Sequence, residues 1–391
     1  MTPAARIAAA ISLLDRIASG DPAERALTNW ARANRYAGSK DRAAIRDHVF
    51  DALRCRGSYA ALGAGEQGRA LMLGMMRAQG LDPDTLFTGE GYAPTALTAD
   101  ERAAYEAAVS DDSIAELDWP AWLRPILRDD LGPDYPAISQ AMRARAPVFL
   151  RVNLARGMRD QAKAALANEG IIAQPHPLVE TALEVTQGAR LVQRSQAYLN
   201  GLVEVQDASS QAAAALLPLA PGDRVLDYCA GGGGKALAMA AACPEAQIFA
   251  HDADPGRMGD LPTRAKRAGT RIVQRPPGDP GAGYSLVLVD APCSGSGTWR
   301  RTPEAKWRLD PARLSELCAL QAKILSEAAD LVAPGGALAY MTCSVLRAEN
   351  EEQLNELCER GWLIELVRRF SPQTGGDGFF AAILRRSQQA Q

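Results

Sequence analysis

The chain has 391 residues, 47% hydrophobic and 23% charged, which excludes a disordered or collagen-like polymer and leaves room for two or three domains with their own cores. A formal net charge of −3 excludes a globally basic nucleic-acid binder, so any nucleic acid would have to be held by local patches. The seven cysteines show no CxxC and no His/Cys spacing suited to a metal, which argues against a disulfide scaffold and a zinc site. Free thiols in a reducing cytoplasm are expected.

The chain opens with Ile7, Ile11, Leu14 and Ile17 at three- and four-residue spacing, the mark of one helix face. Thr2-Pro3 starts that helix and Gly20 stops it. Arg6, Asp15 and Arg16 interrupt its apolar stretch, so it reads as an amphipathic helix rather than a signal peptide. No apolar run is long enough to predict a membrane span. More helices are expected through Trp30, Ile45, Val49 and Leu53. Residues 1–60 carry ten Lys/Arg against six Asp/Glu, and residues 61–140 carry five against fourteen, so a basic face precedes an acidic exterior.

A Pro-rich stretch, 119–136, precedes VFLRVN, DQAKAALANEG and ALEVTQ, a mixture of strands and a helix closed by Gly170. From residue 222 strands and helices alternate. RVLDYC, QIFAHDAD, YSLVLVDAP and ALAYMTCS read as strands, the third covered on both faces. Asp310-Pro311 opens a long helix that Pro334-Gly335-Gly336 is expected to end. WLIELVRRF and FFAAILRR are the last strands. An open α/β sheet with helices on both faces follows, with ligands at the carboxyl ends of its strands.

Three loops at those ends carry chemistry. In DYCAGGGGK (227–235), glycines let backbone approach a ligand before a helix N-terminus. Asp252 and Asp254 follow about twenty residues later, where an acid can bind ribose hydroxyls. Gly231, Gly233 and Ala236 also fit a dinucleotide pattern, so a nicotinamide oxidoreductase stays open from this loop alone. The second loop holds Asp290 and Cys293, followed by Arg300, Arg301, Lys306 and Arg308. The third holds Cys343. Two thiols, an acid and a nucleotide-type loop on one rim form a constellation that a dehydrogenase leaves unexplained.

The sequence resembles the Sun/RsmB-type RNA 5-methylcytosine methyltransferases. The carriers are VEVQDASSQ (203–211), DYCAGGGGK (227–235), DADPGRMGDLPTRAKRAG (252–269), DAPCSGSGTWRRTPEAKWR (290–308), YMTCSVLRAENEEQ (340–353) and GGDGFF (375–380). SKDRAAIRDHVFDALR (39–54) resembles the NusB-like RNA-binding domain of the ribosomal members. The resemblance implies a NusB-like all-α domain over 1–140, a small α+β RNA-binding subdomain over 141–200, and a Rossmann-like class I methyltransferase domain with a seven-stranded mixed sheet over 201–391. It implies S-adenosyl-L-methionine as cofactor, cradled by Cys229, Ala230, Gly231, Gly232, Gly233, Gly234 and Lys235, with Asp252 on the ribose and Asp290 beside the reacting base. It further implies Cys343 as nucleophile, Cys293 as the aid to product release, RNA as partner and 16S ribosomal RNA as substrate. No membrane or metal is implied, and a monomer is expected.

Two positions depart from the family pattern. Gly232 stands where the family usually has proline, and the acid near the adenine has only Asp279 as a counterpart, in a shortened loop. The chemistry suits the roles. A thiolate added at cytosine C6 makes C5 nucleophilic, and a free cysteine with a pKa of about 8.5 needs nearby positive charge, such as Lys235, to ionise. Cysteine attack is also known from a PC loop in DNA enzymes, which would nominate Cys293 instead. The base must be unstacked to be attacked on its face. Arg143, Arg145, Arg151, Arg156 and Arg159, with Gln206, Asp207, Arg300, Arg301 and Lys306, are the candidate RNA contacts. A transfer-RNA member of the group and a non-catalytic ribosome assembly factor are the rival readings.

Overall fold

Why the chain divides where it does follows from which segments share a core. In a computed structural model, which describes residues 1–107 and 114–386, two compact units form: 1–145 with 299–308, and 146–298 with 309–391.

The first unit is helical. Helix Pro3–Ala18 has Thr2 as its N-cap, whose hydroxyl accepts the Ala5 N–H at 3.2 Å. Its buried Ile7, Leu13, Leu14 and Ile17 pack against Ile45, Val49 and Leu53 of helix Ser39–Arg54 and Leu71, Met72 and Met76 of helix Gly68–Ala78. The expected Ile11 is only partly buried, because Ala10 and Leu13 take the centre of that face. Segment 299–308, with its helix Pro303–Arg308, packs with this unit through Trp299, whose ring centroid lies 5.9 Å from that of Trp119.

The second unit holds two sheets. β1 (Val148–Val152), β2 (Ile172–Pro175), β3 (Ala182–Gln187) and β4 (Val203–Val205) form an antiparallel sheet in the order β2-β3-β1-β4. Helix Arg159–Asn168 buries Ala162 and Leu166 in the core of this small layer. The larger sheet uses β5 (Arg224–Asp227), β6 (Gln247–Ala250), β7 (Ile272–Gln274), β8 (Tyr284–Asp290), β9 (Val332–Thr342), β10 (Trp362–Phe370) and β11 (Phe379–Arg386). Its order is β10-β11-β9-β8-β5-β6-β7, with β5 to β9 parallel and β11 antiparallel to both neighbours. This is the Rossmann-like methyltransferase sheet with seven mixed strands.

One boundary differs from expectation. The long helix ends at Ala329, and Pro334-Gly335-Gly336 lie inside β9. Tyr284 of β8 pairs with Val332, but Leu286 pairs with Ala337, so the extra residues form a bulge that the glycines permit. The chain leaves β5 toward β6 and β7, then returns to β8 on the other side of β5. The carboxyl ends of β5 and β8 therefore flank the switch point where open α/β sheets bind ligands.

Candidate active site

The cradle after β5 is built by backbone conformation. Gly231 and Gly233 have φ of +50° and +80°, and a Cβ on Gly233 would sit 2.1 Å from Leu261 Cδ1. Asp252, 3% exposed, accepts the Gly231 N–H at 2.9 Å and the Asp254 N–H at 3.0 Å, and pairs with Arg257 at 3.3 Å. Its carboxylate thus braces the glycine loop. Asp227, at the end of β5, accepts the Ala236 N–H at 3.0 Å, while its other oxygen is buried with no partner. Burial, with Asp290 nearby, raises its pKa to about 7. Behind the loop, Arg151 donates to Gln206 Oε1 at 2.6 Å and to the Gly234 carbonyl at 2.8 Å. Asp207 accepts the N–H groups of Ser209 and Asp377, at 2.9 and 3.0 Å, tying helix Ala208–Ala214 to the GGDGFF turn. Side-chain-free backbone, a helix N-terminus and an orphaned buried carboxylate oxygen fit S-adenosylmethionine as the group this loop receives.

Lys235, the second residue of helix Gly234–Ala242, is 5% exposed and donates to Asp290 Oδ2 at 2.8 Å. Its ammonium also lies 4.6 Å from the centre of the Phe379 ring. A buried lysine needs such partners, and the pair presents Asp290, about a third exposed, at the end of β8.

The two cysteine loops meet because β8 and β9 are neighbours with Asp290 opposite Met341. Cys293 Sγ and Cys343 Sγ lie 3.4 Å apart, and all seven cysteines are free thiols. Cys293 is held protonated: the hydrogen bond to Cys343 and then burial push its pKa well up. Either sulfur can donate in this contact. The loops are pinned by backbone bonds from Ala291 N–H to the Met341 carbonyl and from Gly297 N–H to the Cys343 carbonyl, each 2.9 Å. Cys229 is half-buried, and burial together with Asp227 pushes its thiol up, so it stays neutral at the rim.

Several residues read from the sequence as RNA contacts are placed elsewhere. Lys306 is 3% exposed inside the first unit, donates to the Arg54 carbonyl at 2.9 Å, and faces the rings of Trp119 and Trp307. Arg300 is also buried, and its carbonyl accepts from Arg54 at 3.5 Å. Arg151 is equally enclosed. Lys306 and Arg151 act as internal ties, turned inward by helical periodicity and β pairing, while Arg300 is buried in the turn before helix Pro303–Arg308. Arg143 pairs with the buried Asp118 at 3.0 Å, Arg145 pairs with Asp47 at 3.2 Å, Arg156 donates to the Ala268 carbonyl at 2.9 Å, and Arg159 donates to the Glu180 carbonyl at 3.0 Å. Arg301 is exposed, as is Asp279, which lies five residues past the end of β7.

Glu349 went unrecognised in the sequence as a site residue. It is fully buried between the cysteine loops, where it binds Ser294 and Ser344. The only sequence signal was its place in YMTCSVLRAENEEQ, where a solvated charge run is the ordinary reading. Among the described residues there is no group of three or more His, Cys, Asp or Glu suited to a metal, and no helix long and apolar enough to cross a membrane.

Comparison with known proteins gives this arrangement a family. The model of the 16S rRNA methyltransferase RsmB/F family matches residues 214–385, and that of the RsmF/B-like ferredoxin-like domain matches 119–191. Ribosomal RNA small subunit methyltransferase B of Xanthomonas campestris pv. campestris is 35% identical over 303 residues, 72% of this chain and 68% of that protein. Its namesake in Salmonella arizonae is 35% identical over 282 residues, 68% of this chain and 66% of that protein. Among solved structures, PH0851 superposes with a TM-score of 0.75 at 22% identity over 99% of both chains. NSun6 from Pyrococcus horikoshii, crystallised with SFG, superposes with a TM-score of 0.61 at 18% identity over 68% of this chain and 98% of its own. The glycine cradle, the paired thiol loops and these sequence relatives agree: the chain belongs to the RsmB/F family of S-adenosylmethionine-dependent RNA methyltransferases.

Proposed function

We propose that this protein methylates carbon 5 of a cytosine in RNA, with small-subunit ribosomal RNA as substrate, through a covalent bond between Cys343 and carbon 6. The observation that carries this reading is the 3.4 Å approach of Cys293 and Cys343 on the rim that also presents Asp290. The ribosomal substrate rests on the names of the relatives in Xanthomonas and Salmonella. In this reading residues 1–140 form a NusB-like RNA-binding domain, 141–200 an RNA-binding lead-in and 201–391 the methyltransferase domain. The protein works as a cytoplasmic monomer, and exposed Arg301 is its leading candidate for a contact to the RNA backbone.

Cys343, its proton given up to water, attacks as the thiolate with Cys293 Sγ 3.4 Å away. Its electron pair forms the bond to carbon 6, and the electrons of the 5,6 double bond shift toward the ring nitrogen, where the Asp290 carboxyl meets the base's polar edge. Lys235 holds that carboxyl in place. When bound, S-adenosylmethionine supplies the electrophilic methyl group. Cys293, having given its own proton to water, then takes the proton on carbon 5. The double bond then reforms and Cys343 leaves as thiolate.

The test is a denaturing gel of the protein with S-adenosylmethionine and small-subunit ribosomal RNA transcripts containing 5-fluorocytidine, whose fluorine blocks the last step. Wild type and Cys293→Ser are expected to form a covalent adduct and Cys343→Ser none. The opposite mutant pattern would exchange the cysteine roles, and no adduct from a protein that binds the cofactor would favour the assembly-factor reading.

A further inference from the structure

The cysteine loops are joined directly by backbone bonds and by a Ser296–Ser344 hydroxyl contact of 2.9 Å, and their sulfurs lie 3.4 Å apart. Both follow strand ends, and a shift of either loop by an ångström would separate them. A further restraint, on the residue next to each cysteine, comes from one carboxylate. Glu349 Oε1 accepts the Ser294 N–H at 2.7 Å and a Gln321 Nε2 hydrogen at 3.1 Å. Its Oε2 accepts the hydroxyls of Ser294 and Ser344, each at 2.5 Å. Ser294 directly follows Cys293, and Ser344 directly follows Cys343.

The surroundings make this anchor rigid. Glu349 and Gln321 are both fully buried, and Gln321, on helix Pro311–Ala329, also donates to the Pro292 carbonyl at 2.9 Å, just before Cys293. The Glu349 carbonyl accepts the Tyr340 hydroxyl at 2.6 Å, which fixes the residue to β9. Next in the chain, Asn350 accepts the Thr342 hydroxyl at 2.5 Å and donates to the Ser344 carbonyl at 3.1 Å, gripping the Cys343 loop from the other side. Both Glu349 oxygens serve as acceptors, which a glutamine cannot reproduce because its NH2 only donates.

We propose that Glu349 is the positioning residue of the two-cysteine site: it ties the residue after each cysteine to one buried point and so sets the spacing at which Cys343 and Cys293 act in turn. The inference rests on the covalent mechanism proposed above for its catalytic meaning, while the spacing itself can be measured without RNA. A diazene oxidant joins two neighbouring thiols as a disulfide and takes their two hydrogens to become a hydrazine. Its rate of linking Cys293 to Cys343, followed by mass spectrometry of the linked peptides, reports their approach.

The experiment compares full-length wild type with Glu349→Gln, Ser294→Ala and Ser344→Ala. In Glu349→Gln we expect the linking rate to fall at least about tenfold and RNA methyl transfer about 100-fold, the scale of an ångström misplacement. Cofactor affinity should hold, and each serine variant should show part of the loss. The unfolding temperature separates positioning from gross structure. If Glu349→Gln folds and links its thiols at the wild-type rate, the proposal is overturned. Should that variant not fold, the serine variants decide, and wild-type linking in both overturns it. A wild-type protein that links its thiols but transfers no methyl group to RNA would instead overturn the proposed function.

Discussion

Asp227 ends β5 almost fully buried, with one carboxylate oxygen bonded to Ala236 and the other without a partner. Burial and the neighbouring Asp290 raise its pKa to about 7, above an unfolded value of about 3.9. Between those values the folded state binds more protons than the unfolded one. Its stabilising share is therefore complete below about pH 4 and is lost as pH rises through 7. Asp227→Asn keeps the acceptor for Ala236 and removes the titration. It should be more stable than wild type at pH 8, by on the order of 2–4 kcal/mol without cofactor, with the gap closing at pH 4. Urea unfolding at the two pH values checks this, and a gap independent of pH would contradict it.

The segment 299–308 shows how an element overrides the character of its residues. Read along the chain, Arg300, Arg301, Lys306 and Arg308 look like a stripe for a phosphate backbone. Folded, the helix Pro303–Arg308 turns Lys306 inward against Trp119 and Trp307, and burial lowers its pKa to about 8. Lys306→Met should lower stability by about 1–3 kcal/mol through the lost bond to the Arg54 carbonyl and the lost positive charge near the buried Asp118. It should leave the salt dependence of RNA affinity unchanged. Arg301→Ala should reduce the slope of log affinity against log salt by about one, the effect of one lost phosphate contact. Titrations across a salt series distinguish the two.

At the scale of the molecule, the helical unit is discontinuous in sequence. Trp307 donates to the Leu53 carbonyl at 2.7 Å, Glu304 accepts the Ala23 N–H at 3.0 Å, and Trp299 is 1% exposed. These groups come from beyond residue 290, yet they pack with a unit that begins at residue 1. A fragment of residues 1–145 should therefore unfold at a lower temperature and less cooperatively than the same unit in the full chain. Adding the peptide 299–308 in trans should raise the midpoint in a concentration-dependent way, as a ligand of the folded state does. Circular dichroism melts of the fragment with and without the peptide test this.

Local information was enough for the strands and for which side chains sit at their carboxyl ends. The apolar run before Asp290 and the alternation from residue 222 identify strands, and a strand's end is where a sheet of this class exposes its chemistry, so Lys235, Asp290, Cys293 and Cys343 were legible on one rim. Chain order also made the glycine cradle visible, since only glycine enters the positive φ of Gly231 and Gly233 without strain. Tertiary structure alone decided which charges face inward. Glu349, Lys306 and Arg300 lie in polar stretches and Arg151 in an apolar strand, and their buried surroundings include partners 55 to 252 positions away, which no local pattern encodes. The proline and glycines of β9 read as a helix stop for the same reason: a bulge is a property of two paired strands. Composition and periodicity report what a segment can do, and desolvation by distant neighbours decides what a charge within it does.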